Sequence, residues 1–80
     1  MSDSLEHTTS PEEVLVAAFA VPRTPRSNAY KAGVLSVLKL RMNGQAIKHP
    51  YECGTAEADA YYAGQHEGHS LYAELIRAAQ

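Results

Sequence analysis

Eighty residues with one cysteine, 45% hydrophobic residues and a net charge of −2 make one small domain, near the size at which a single core is only marginally stable. No apolar run approaches the roughly 20 residues of a membrane span, and Cys53 has no second cysteine to pair with, so a transmembrane protein and a disulfide scaffold are both excluded. Charge is segregated: residues 1–22 hold four acids and no Lys or Arg, residues 23–48 hold six cations and no acid, and residues 49–80 hold five acids against Arg77, which sums as −4 + 6 − 4 = −2. A basic middle block between acidic ends either pairs with the acids of its own fold or meets phosphate or an acidic partner.

Met1–Thr9 is polar and aperiodic, and residues 1–9 are expected to be disordered. It lacks the basic-then-apolar order of a secretory signal, so the cytoplasm is the expected compartment. Residues 10–80 are expected to form a single helical domain. Ser10-Pro11-Glu12-Glu13 is a helix start, with Ser10 as cap, Pro11 at the first helical position and Glu13 placed to close a capping box. Val14 to Val21 is apolar on nearly every face. A short helix is the better reading, with a strand as the alternative because of its β-branched residues. An element apolar all round must be covered on more than one side, which suggests either a homodimer contact through residues 14–21 or a helix wedged between the other two.

Val21-Pro22-Arg23-Thr24-Pro25-Arg26 is a linker, since two prolines three apart exclude regular helix. Ser27 or Asn28 then caps a second helix from about Ala29 to Asn43, stopped by Asn43-Gly44. Tyr30, Gly33, Val34, Val37, Leu38 and Arg41 follow helical spacing along it. After the connection Gln45–His49, Pro50 and Gly54 turn the chain and Thr55 caps a third helix with Glu57 and Asp59 in its first turn. This helix is expected to reach about Ala79, with Tyr61, Gly64, Gly68, Leu71, Tyr72, Leu75 and Ile76 buried. Ala29 and Gly33 on one helix, and Ala60, Gly64 and Gly68 on the other, fall four apart and leave two smooth stripes. Those stripes predict an all-α fold, a closely packed antiparallel helix pair plus a short N-terminal helix. No internal repeat is visible.

Catalytic chemistry finds little support, and the chain reads as a non-enzyme. Cys53 sits beside the acid Glu52 with no base or positively charged neighbour to activate it, and neither Ser36 nor Ser70 has a paired histidine and carboxylate. His49, Cys53, His66 and His69 have a spacing that suggests zinc at first sight. A helix starting at Thr55 would carry His66 about 16 Å from its start, beyond the reach of Cys53, so no metal and no cofactor is expected. Tyr51 and Tyr62, flanked by Glu52, His66 and the acids Glu57 and Asp59, are the candidate partner-binding residues.

At Ala29-Tyr30-Lys31-Ala32-Gly33, then Pro50-Tyr51, then Tyr61-Tyr62-Ala63-Gly64, the sequence resembles the ribosome modulation factor family and its short phage and prophage relatives, over about half the chain, Arg26 to His69. The resemblance implies a two-helix fold that binds ribosomes near the message exit region and promotes their inactive dimers. It would turn Arg26, Lys31, Lys39, Arg41 and Tyr51 towards ribosomal RNA. The chain departs from that family in having His49 where the family has cysteine, in a longer connection from Gly33 to Pro50, in an added N-terminal apolar element, and in its acidic second half. Two functions follow as expectations. One is a phage- or prophage-type inhibitor, an anti-CRISPR or similar protein, that binds a host nucleic-acid-handling protein complex through an acidic and tyrosine-bearing helix face. The other is a ribosome- or RNA-binding protein that uses the basic second helix.

Overall fold

The structure is a computed structural model in which residues 10–20 and 25–79 are described. The expected disorder of residues 1–9 and most of the linker, Arg23 included, lie outside the described residues. Among the described residues three helices follow in order, α1 at Pro11–Ala20, α2 at Asn28–Asn43 and α3 at Ala56–Ala79, and there is no strand. The fold is all-α as the periodicity predicts, and Val14 to Ala20 are helix rather than strand.

Local chemistry sets each boundary. At α1 the capping box closes in both directions: the Glu13 N–H donates to Ser10 Oγ at 3.1 Å, and the Ser10 N–H donates to Glu13 Oε1 at 2.9 Å, satisfying donors that a helix start leaves free. Ser27 Oγ accepts from the Tyr30 N–H at 3.2 Å and caps α2. At its other end Gly44 takes φ 75°, a left-handed conformation suited to glycine, and its N–H and that of Gln45 close on the carbonyls of Leu40 and Lys39. Thr55 Oγ1 accepts from the Ala58 N–H at 3.1 Å and donates to the Glu52 carbonyl at 2.7 Å. One hydroxyl therefore caps α3 and ties it to the preceding turn. The weak helical stretch 65–70 stays within an unbroken helix.

The core lies between α2 and α3. Val34, Val37 and Leu38 are completely buried, with Ala29, Ala58 and Tyr61 nearly so; each fully buried aliphatic side chain contributes roughly 1.5–3 kcal/mol. The helices meet backbone to backbone. A Cβ built on Gly33 would lie 2.0 Å from the Tyr61 carbonyl oxygen, and one built on Gly64 would lie 2.0 Å from that of Tyr30. Each glycine thus lays a bare Cα against a carbonyl of the facing helix, the arrangement of Cα–H···O contacts.

These two contacts are mirror partners. Gly33 also approaches the Gln65 nitrogen, and Gly64 the Val34 nitrogen, at 3.1 and 3.0 Å from the added Cβ. A local two-fold relation exchanges Tyr30 with Tyr61, Gly33 with Gly64 and Val34 with Gln65. Its sequence mark is a Tyr-x-Ala-Gly element present at Tyr30–Gly33 and again at Tyr61–Gly64, so a short internal repeat exists where none was expected.

The contacts at the two ends of the pair fix its sense and correct the expected antiparallel arrangement. Both N-terminal ends lie together, where Ser27, Asn28 and Ala29 share a hollow with Ala56, Glu57 and Ala60. Towards the far end, the Arg41 guanidinium stacks 4.6 Å from the centre of the Tyr72 ring. α2 and α3 therefore run in the same direction. Residues 44–55 between them are long enough to travel back along a helix of this length, at up to about 3.3 Å per extended residue; an antiparallel pair would need only two to five or so.

Several burial expectations also change. Leu71, Tyr72 and Leu75 are only half-buried. Ile76 is 43% exposed, because nothing in α2 extends past the neighbourhood of Tyr72 to cover it. α1, expected to be covered on more than one side, packs mainly on α2, with Phe19 edge-on to Tyr30 at 6.4 Å, and leaves Val16 67% exposed.

Candidate protein-binding surface

The expected contact residues are held by the returning connection and the first turns of α3. Tyr61 organises them. Its buried ring receives Tyr51 edge-on at 5.5 Å and His49 at 6.4 Å, and its hydroxyl donates to the Lys48 carbonyl. His49 also leans on Tyr62 at 6.0 Å. The connection is thus pinned by rings rather than by regular hydrogen bonding. Tyr51, expected as an exposed contact, is half-buried because it packs on Tyr61.

The other candidates divide into two places. Successive helical residues turn by about 100°, so Asp59, Tyr62 and His66 fall within about 60° of one another and form one exposed stripe on α3. Tyr62 is 40% exposed, and with Gln65, His66 and His69 it lines a hollow of about 330 Å³. Glu57 is about 200° from Asp59 and instead borders a hollow of about 500 Å³ with Tyr51, Ser27 and Asn28, where the two helix starts meet. Glu52 is exposed in the turn before Thr55. The sequence pattern missed Gln65 and His69, whose polar side chains sit one turn from Tyr62 and His66 on the same side.

The cations of the basic block mostly face groups of their own fold. Arg26 stacks on Tyr30 at 4.6 Å, Lys31 lies over Phe19 at 5.6 Å, Lys39 reaches Glu12 at 3.8 Å, and Arg41 meets both Tyr72 and, at 3.0 Å, His69 Nδ1. Such contacts at exposed positions are worth only about 0.5–1 kcal/mol each, yet together they turn the block inward. One hollow departs from this pattern. About 390 Å³ in volume, it lies where the connection folds over α2; Lys39 and Lys48 line it with Ser36 and Gln45, and no acid among the described residues does.

Of the helix-stripe residues, Ala29, Gly33, Gly64 and Gly68 are buried in the α2–α3 contact, while Ala60 is half-buried beside the hollow at the helix starts. Among the described residues, no three His, Cys, Asp or Glu side chains stand together as a metal site would require. Among the same residues, no helix is long and apolar enough to cross a membrane. Comparison with protein-family models, with curated proteins and with solved structures finds no match for this chain.

Proposed function

We propose that this chain is a non-enzymatic binding protein of the phage or prophage inhibitor type. In this reading it docks on a host protein complex that handles nucleic acid, and it offers Asp59, Tyr62 and His66 as the central contact with Glu52 in the turn before α3, while Glu57 faces the hollow at the helix starts and lies apart from that contact. The observation that carries the reading is the division of charge between the two long helices. Cations of α2 are engaged with rings and a carboxylate of the same chain, whereas Asp59, Tyr62 and His66 of the α3 stripe face solvent. A rigid helix presenting carboxylates and a tyrosine suits a basic surface built for a phosphate backbone, because complementary potential speeds encounter and tyrosine gives contact area at low entropic cost.

Affinity capture from host lysate tests it, with Asp59→Lys and Tyr62→Ala as the variants. Both positions are exposed and neither contributes to the α2–α3 contact. Loss of the captured complex with helicity retained supports the reading, and capture indifferent to both substitutions refutes it.

A second reading, a ribosome- or RNA-binding protein of the kind the sequence resembles, is favoured by the acid-free hollow at Lys39 and Lys48 and by the exposed guanidiniums of Arg26 and Arg41. Phosphate binding would weaken steeply with salt. Sedimentation with ribosomes at two salt concentrations separates the readings: salt-sensitive co-sedimentation lost in Lys39→Glu/Lys48→Glu selects the second.

A further inference from the structure

The stripe proposed above occupies the N-terminal half of α3, and its residues line none of the surface between α1 and the C-terminal half. That surface holds an open hollow of about 390 Å³ floored by Val14, Ala17, Leu71 and Leu75, with the carboxylates of Glu13 and Glu74 at its edge. A second hollow of about 300 Å³ shares Glu13 and Ala17 with it and adds Val16 and Glu12. The two make one continuous apolar strip. α1 supplies most of it because this helix is apolar on every face and spends only one side on α2.

Among the described residues, every charged residue along the strip is acidic, and neither hollow includes a Lys or Arg. Glu13 gives one carboxylate oxygen to the Ser10 N–H, which leaves its charge in place. Glu12 reaches Lys39 only at 3.8 Å with both side chains open to water, so that neutralisation is weak.

The charge pattern selects the occupant. A second copy docking through the same strip about a two-fold axis would bring one acidic rim, Glu12, Glu13 and Glu74, against another, and like charges brought together there oppose association. The chain's own residues 1–9 carry Asp3 and Glu6 and no Lys or Arg, so they meet the same repulsion. We propose that the strip is a docking groove for an amphipathic helix of a partner protein, with leucine-type side chains on one face and lysines or arginines flanking them. The apolar face fills the strip at i, i+3, i+4 and i+7 spacing, and the flanking cations meet Glu12, Glu13 and Glu74. This groove does not depend on the α3 stripe, and the two are separable by mutation.

The test uses the full chain, isotopically labelled, titrated with a short helical peptide of leucine and lysine and with the same peptide bearing glutamate for every lysine. Binding of the lysine peptide that shifts the amide signals of Val14, Ala17, Leu71 and Leu75, at least tenfold tighter than the glutamate peptide, is the expected result. Glu74→Lys weakens it roughly tenfold, as reversal of a flanking charge does, and Glu13→Gln weakens it several-fold while keeping the capping box intact. Asp59→Lys leaves it unchanged, which distinguishes this groove from the stripe above. Equal binding of the two peptides, no binding, or shifts that map elsewhere would overturn the proposal. So would a dimer in sedimentation that Val16→Glu dissociates.

Discussion

Replacing Gly33 or Gly64 by alanine isolates the backbone contact on which the fold is built. Helix propensity alone makes such a change favourable by about 1 kcal/mol. The added methyl, however, would lie 2.0 Å from a carbonyl oxygen of the opposite helix, against 3.4 Å for ordinary contact. The obstacle is backbone, which has no rotamer to change. Relief requires the helices to part by about 1.4 Å, the difference between those distances, and parting loosens Val34, Val37 and Leu38 at once. Overpacking of this kind costs about 1–3 kcal/mol and occasionally more; a 2.0 Å approach to backbone belongs at the upper end, so a net loss of about 2 kcal/mol is expected after the propensity gain of about 1 kcal/mol. A chain of this length has a total stability of about 4–12 kcal/mol, and urea melts followed by circular dichroism resolve the change readily.

Gly68→Ala is the internal comparison. Its Cβ would meet the Val34 carbonyl and the Val37 side chain, each at 2.8 Å, a milder conflict that side-chain movement partly absorbs. The expected order of destabilisation is Gly33 and Gly64 together, then Gly68. If Gly33→Ala or Gly64→Ala leaves the midpoint unchanged or raises it, the helices do not touch backbone to backbone in solution and the close parallel pair is wrong.

Tyr61→Phe removes the hydroxyl that holds the Lys48 carbonyl and keeps the ring. A loss of about 1 kcal/mol is expected, with faster amide exchange confined to residues 45–51, and protection unchanged there would show that the rings alone hold the connection. Ser10→Ala breaks one arm of the capping box at a cost of about 1 kcal/mol of helix stability. Because α1 packs mainly on α2 and adds little to the α2–α3 core, hydrogen exchange should rise in Pro11–Ala20 while α2 and α3 keep their protection.

Much of the structure was written locally. Ser10 with Glu13, Ser27 before Tyr30, Gly44 after Asn43 and Thr55 before Glu57 mark their helix ends by chemistry that acts within a few residues, and all four ends fall where those residues place them. The burial of Val34, Val37 and Leu38 follows equally from helical spacing. The candidate surface was legible in part, since Asp59, Tyr62 and His66 share a face by periodicity alone. The half-burial of Tyr51 was not, because it depends on a ring ten residues away in the chain.

The direction of the helix pair belongs to the tertiary structure. A stripe of glycine and alanine is smooth to a neighbour approaching in either direction, so small-residue spacing specifies closeness and leaves orientation open. Orientation is decided by which ends meet: Ser27 and Asn28 share a hollow with Ala56 and Glu57 at one end of the pair, Arg41 lies over Tyr72 towards the other, and both hold only if the helices run with the same polarity. The exposed strip on α1 and α3 follows from the same choice. Once residues 44–55 are used to run back along the pair, no chain remains among the described residues to cover the apolar outer face of α1.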